Sequence, residues 1–204
     1  MEGGFYAIID PAHCGGRSPV DVAQQVLSGG AAMLQLRMKT GTDRDRVELA
    51  RALRELTRAA RVPFVMNDRA DLALLVDADG LHLGQDDLSI ADARRLLGAR
   101  QLGVSTHDLP QALAAEREGA DLIGFGPVFD TQTKERPDPT VGLATLAEVC
   151  RTVRVPVVAI GGLTAERAVL AYDAGATWVA AISAVSAAAD VTASARAFMP
   201  GVRP

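Results

Sequence analysis

Gln35, Arg37 and Lys39 occupy alternate positions in the run QLRMK. A β-strand sends alternate side chains to one face, so the three would point the same way. Two cations at one strand end require an anion, because an unpaired buried charge is very costly. A bound phosphate or pyrophosphate would supply it, and so would an ion pair with Asp10 or Asp68. Asp68 and Asp87 in turn follow two neighbouring apolar runs, FVMN and GLHL. One or two carboxylates, with substrate phosphates and waters, are the usual Mg²⁺ environment. Each acid could instead cap the helix that follows it. Gly161-Gly162, and Ile182-Ser183 after the last apolar run, suit backbone binding of a phosphate. The polar stretch FDTQTKERPDPTVG carries Thr131, Thr133 and Lys134, fit to grip a second anion from a lid-like loop. An ordinary solvated loop would have the same composition. His107, after Ser105-Thr106, suits either acid–base chemistry or the start of a helix, and His82 suits a hydrogen-bonded wall position.

The elements that must position these residues recur along the chain. Short runs rich in Val, Ile, Leu and Phe lie at 5–9, 33–38, 63–67, 80–83, 101–105, 122–129, 156–161 and 178–183. Their poor alternation is that of strands buried on both faces of a parallel sheet. Helical patterns fill the gaps at 19–27, 43–60, 71–75, 90–97, 109–118, 143–152, 165–174 and 191–198. Ser18, Thr42, Ser89, Asp108 and Thr164 read as N-caps, and Gly29, Gly98, Gly119 and Gly175 as C-terminal stops. A junction of glycine, alanine and an apolar run repeats in SGGAAMLQL, EGADLIGF and AGATWVAAI. Eight strand–helix units predict a (β/α)₈ TIM barrel, one α/β domain over 1–204. An open doubly wound sheet is the alternative, disfavoured because no GxGxxG follows the first strand. In a barrel the site lies at the C-terminal ends of the strands, which is where all the residues above fall.

Bulk composition narrows the function. With 49% hydrophobic residues among 204, the chain can bury a sizeable core. A net charge of −4 and 4% aromatics argue against nucleic acid as a partner. No apolar run reaches membrane-spanning length, and the N-terminus MEGGFYAIID lacks the pattern of a secretory leader. Cys14 and Cys150 make no disulfide framework. The expected setting is cytoplasmic, with small-molecule substrates, no nucleic acid and no membrane; homo-oligomerisation stays open.

The segments QLRMK, FVMNDRADLAL, ADGLHLGQDDL, LGVSTHD, GADLIGFGPVFDTQTK, VVAIGGLT and VAAIS resemble, in order, the motifs of the thiamin phosphate synthase family, across residues 5 to 190. The resemblance implies a barrel transferase. It would join 4-amino-5-hydroxymethyl-2-methylpyrimidine diphosphate to 4-methyl-5-(2-phosphoethyl)thiazole, or its carboxylate, giving thiamin phosphate and pyrophosphate. By position it assigns Gln35, Arg37, Lys39 and Asn67 to the pyrimidine diphosphate, with Ser105 and Lys134 as further contacts. It assigns Asp68 and Asp87 to Mg²⁺, and Thr131, Thr133, Gly162, Ile182 and Ser183 to the thiazole phosphate. Arg37, Lys39, Lys134 and Mg²⁺ would together neutralise the departing pyrophosphate. Asp130 and Met38 depart from the family's usual residues without removing a named contact. The related thiazole tautomerase shares the fold and a histidine at the place of His107. A non-catalytic phosphate-binding barrel is the third reading.

Overall fold

The structure, a computed structural model, describes residues 3–131 and 139–202. Its eight strands are β1 (Gly4–Ile9), β2 (Met33–Leu36), β3 (Phe64–Asn67), β4 (Gly80–Leu83), β5 (Gln101–Thr106), β6 (Leu122–Phe125), β7 (Val157–Ile160) and β8 (Trp178–Ala181). They pair in parallel with their sequence neighbours, and β8 returns to β1 to close the barrel. The fold is thus the α/β (β/α)₈ TIM barrel that the alternation predicts. Among the described residues the helices are α1 (Pro19–Ser28), α2 (Asp43–Ala60), α3 (Ala70–Leu75), α4 (Ile90–Leu97), α5 (Leu109–Glu118), α6 (Gly142–Thr152), α7 (Ala165–Asp173), α8 (Ser183–Ser186) and α9 (Val191–Ala197).

The predicted caps all function as caps. The side chains of Ser18, Thr42, Ser89, Asp108 and Thr164 each accept a backbone N–H of the first helical turn. The repeated junction also has a common geometry. Gly30, Gly119 and Gly175 have φ of 100°, 99° and 101°. The following Ala31, Ala120 and Ala176 donate N–H back to Val26, Ala115 and Ala171, five residues earlier, and bury their methyls. That is a Schellman ending, for which glycine has no Cβ penalty. Arg61 and Asp77 make the same turn without glycine, at φ of 57° and 53°. At the end of α1 the left-handed residue is Gly30 rather than the predicted Gly29. Gly29 serves close packing instead, since a Cβ there would stand 2.6 Å from the Ala195 methyl of α9.

Four strands end earlier than their apolar runs, β7 by one residue at Ile160. β2 stops at Leu36, although the Arg37 N–H still donates to Ile9 at 2.9 Å. β6 stops at Phe125 because Pro127 has no N–H for the ladder; Val128 and Phe129 then bond to Ile160 and Gly161 on the β7 side. β8 gives way after Ala181 to the short helix α8, which periodicity did not reveal.

The core divides as a closed barrel requires. Tyr6, Ile8, Met33, Val65, Leu122, Val158, Trp178 and Ala180 fill the interior, and a larger cluster lies between strands and helices. On β4, β5 and β6 the interior has an unusual composition. His82 stacks against Gly103 and Gly124, where an added Cβ would lie 2.6 Å from its Nδ1 and 3.0 Å from its Cε1. Two neighbouring strands give up side chains to make room for one imidazole.

Candidate active site

At the top rim, where the strands end, the basic and acidic residues meet each other. Arg37 forms an ion pair with Asp10, which is buried and also accepts the Ala12 N–H at 3.1 Å. Lys39 reaches Asp68 at 2.5 Å. The ion pairs weighed against a bound anion are therefore both present. Each cation remains on the rim: Arg37 is half-buried, and the Lys39 side chain is 53% exposed.

The acids do not act as helix caps. α3 begins after Arg69 with no side-chain cap, and α4 is capped by Ser89. Asp68 has φ of 62°, a left-handed conformation that costs a non-glycine residue about 1 kcal/mol or more and clusters at functional sites. Asp87 accepts the Gly84 N–H at 2.7 Å, which fixes its loop. Burial pushes the Asp68 carboxyl above the ordinary range; the adjacent Asp87 carboxylate adds to this, and the Lys39 ammonium opposes it. Asp68, with Asp87 beside it and Lys39 paired to it, forms a donor set that a divalent cation would complete. Substrate oxygens and water would fill the remaining positions. Among the described residues no cluster of three or more acidic, His or Cys ligands occurs, so any metal depends on those exogenous oxygens.

Gln35 is buried and donates from Nε2 to the Tyr6 hydroxyl at 2.7 Å. Burial also raises the Tyr6 phenol pKa, keeping it protonated. Tyr6 thereby orients the Gln35 amide, a role that sequence reasoning missed because a tyrosine in the first apolar run looks like core. Asn67 closes β3 beside Asp68. Ser105 shares a hydrogen bond of 3.0 Å with His82 Nε2, so His82 is the wall residue it was expected to be.

A cavity of about 420 Å³ opens at the ends of β5 to β8. Ser105, Thr131, Gly162, Ile182 and Ser183 all line it, five of the predicted positions in one place. His13 and His107 line it as well. His107 Nδ1 donates to the Gly126 carbonyl at 2.5 Å. His13 Nδ1 stands 3.4 Å from Asp10, so one buried carboxylate touches both the cavity wall and Arg37. A second recess of about 190 Å³ borders Lys39, Asn67 and Asp68. Gln35, Arg37 and Asp87 line neither space, and Thr133 and Lys134 lie outside the described residues.

A closed parallel barrel with acids and a cavity of about 420 Å³ on its C-terminal rim has the architecture of the (β/α)₈ barrel enzymes, whose sites lie at that rim. The comparisons narrow this. Residues 5–185 match the family model described as thiamine monophosphate synthase. The chain is 48% identical over 192 residues to the thiamine-phosphate synthase of Chloroflexus aurantiacus, covering 94% of this chain and 89% of that one. It is 45% identical over 193 residues to that of Moorella thermoacetica, covering 94% and 92%. The solved thiamine phosphate pyrophosphorylase of Pyrococcus furiosus superposes with a TM-score of 0.88 at 36% identity, over 95% of this chain and 92% of that one. The chain belongs to the thiamine monophosphate synthase family and is a transferase of thiamin phosphate synthesis. The family resemblance in the sequence is thus correct.

Proposed function

We propose that the chain couples the pyrimidine diphosphate to the thiazole phosphate, plain or carboxylated, with Mg²⁺ at Asp68 and Asp87. The observation that carries this reading is the acid pair itself. Asp68 and Asp87 crowd one another beside Lys39, on the rim that also holds the 420 Å³ cavity. Bound there, Mg²⁺ would supply Lewis-acid neutralisation of the diphosphate.

The protein's own groups do the rest. Gln35 and Asn67 orient the pyrimidine. Lys39 and Arg37, with Lys134 by its place in the family motif, balance charge on the diphosphate as it departs. The methylene C–O bond breaks with its electron pair going to pyrophosphate, and the thiazole nitrogen lone pair then forms the C–N bond. Thr131, Gly162, Ile182 and Ser183 hold the thiazole phosphate against the reacting carbon, with Ser105 contacting the pyrimidine diphosphate from the same cavity, which supplies proximity. No protein nucleophile is needed.

A thiazole tautomerase is the second reading, favoured by the His107 ring held at the cavity wall. Purified protein mixed with both substrates and Mg²⁺ separates the two. Thiamin phosphate and pyrophosphate in equal amounts support the synthase. Isomerisation of the thiazole phosphate alone, with no coupling, would overturn it; no turnover of either kind would point to a binding barrel.

A further inference from the structure

We propose that Arg167, outside the segments that carry the family resemblance, is a positioning residue for the phosphate-bearing substrate. It holds the Gly161–Gly162 turn so that the backbone presents an anion cradle to the cavity. The inference rests on reading that cavity as the thiazole-phosphate site.

The turn is made of two successive left-handed glycines, with φ of 98° and 62°. A Cβ on Gly161 would stand 2.4 Å from the Pro127 Cβ, and one on Gly162 would stand 2.3 Å from the Asp130 carbonyl oxygen. The turn therefore lies hard against the loop after β6, and only glycine fits. Glycine pairs are also the most freely rotating backbone, so the conformation needs a restraint. Arg167 on α7 provides one from outside the cavity. Its Nη1 donates to the Gly162 carbonyl at 2.7 Å, and its guanidinium carbon lies 4.6 Å over the Phe129 ring centroid. Phe129 closes the circle by donating its N–H to Gly161 at 3.0 Å. One planar cation thus ties the loop after β6 to the turn after β7.

The link to the ligand runs through the peptide plane. In a trans peptide the carbonyl and the next N–H point in opposite directions. Drawing the Gly162 carbonyl to Arg167 turns the Leu163 N–H away from it. Among the described residues, neither the Gly162 nor the Leu163 N–H meets a backbone acceptor. Both residues line the cavity, and Arg167 does not. Arg167 acts through the peptide and is not itself a substrate contact.

The test is Arg167→Met in the full chain, with KM measured for each substrate and inorganic phosphate binding measured by calorimetry. Losing a charge-assisted hydrogen bond predicts a roughly ten-fold or greater rise in KM for the thiazole phosphate. Phosphate binding should weaken in parallel, while kcat and KM for the pyrimidine diphosphate stay unchanged. Arg167→Lys, which keeps the charge but not the fork, should restore part of the loss. Unchanged thiazole-phosphate KM and phosphate affinity in a folded Arg167→Met protein would overturn the inference. So would equal rises in both KM values with a lowered Tm, the mark of a purely structural residue. If Arg167→Met does not fold, Arg167→Lys and Phe129→Leu, each altering one arm of the clamp, carry the same comparison with the same criteria. If the parent makes no thiamin phosphate, the proposed function falls, and phosphate calorimetry alone then decides for or against the cradle.

Discussion

The carboxylates that start the lower strands and the Asp68–Asp87 pair on the upper rim are held differently. At the N-terminal ends of the strands each acid has its own donors. Asp79 accepts from Arg54 at 2.6 Å and from the Phe64 N–H that begins β3 at 2.8 Å. Asp121 repeats this two strands on, with Arg94 and the Leu102 N–H both at 2.8 Å. Asp77 takes Arg58 and Arg100, and Glu116 takes the Arg154 and Val155 N–H groups. At the C-terminal ends Asp68 and Asp87 are neighbours, with Lys39 on Asp68; burial raises the Asp68 carboxyl and Asp87 adds to it. The lower acids tie down strand starts, whereas Asp68 and Asp87 are kept beside one another by the rim. The difference shows where stability is made and where it is given up for chemistry.

The comparison can be broken most directly at the upper pair. Chelation of divalent metal should abolish coupling, and Asp87→Asn should lower kcat by roughly 10²-fold or more, the scale of losing one preorganised charge-stabilising group. Because that change removes a like-charge contact, Tm should stay level or rise. Full activity in excess EDTA, or a Tm that falls with activity, would erase the contrast. Next in size is Gly162→Val, which blocks the close approach of an anion to the turn after β7 and should weaken thiazole-phosphate binding by at least roughly ten-fold. Calorimetry giving parental affinity in a folded variant would remove the phosphate from that turn. Asp79→Ala at the lower rim should show the reverse phenotype. It leaves the Phe64 N–H without its acceptor and should cost about 1–3 kcal/mol of stability, read by chemical denaturation, with kcat unchanged. The smallest effect concerns pH. Asp68 is raised in the folded protein, so metal affinity should begin to fall with decreasing pH at a higher pH than an isolated carboxylate would give. In the absence of metal, protonation of Asp68 should stabilise the fold as pH drops through its raised pKa. Calorimetric Mg²⁺ titrations and melts across pH 4–7 test both signs.

Much of this architecture was legible in the sequence because it is local. Helix starts follow from single side chains that cap their own first turn, and the glycine–alanine junctions follow from one left-handed residue and one buried methyl. Strand ends were less legible. Met38 and Phe129 are apolar, yet one follows β2 and the other follows a proline that interrupts the ladder. The rim residues were identifiable as a group, since unit counting alone places them. Their pairings were not, because Asp10 and Arg37 are 27 residues apart and Lys39 and Asp68 are 29 apart. The sequence allows ion pairs or bound anions as partners for these cations, and the protein has both the pairs and the exposed rim. Tyr6 and Arg167 left no sequence signal, since each acts through another residue's amide or carbonyl.

The niche around His82 has a consequence for how this barrel can change over evolutionary time. Position 82 and positions 103 and 124 are three parts of one volume. A smaller residue at 82 leaves a void against two strands with no side chains to close it, and a larger residue at 103 drives into the ring. Each single step is therefore destabilising, while a triple exchange of His82→Ala with Gly103→Ala and Gly124→Ala refills part of the space from both neighbouring strands. Ser105 would then lose its ring partner with little harm to packing. Lineages that alter this histidine should carry the compensating methyls on the neighbouring strands, so the three positions should vary together or not at all.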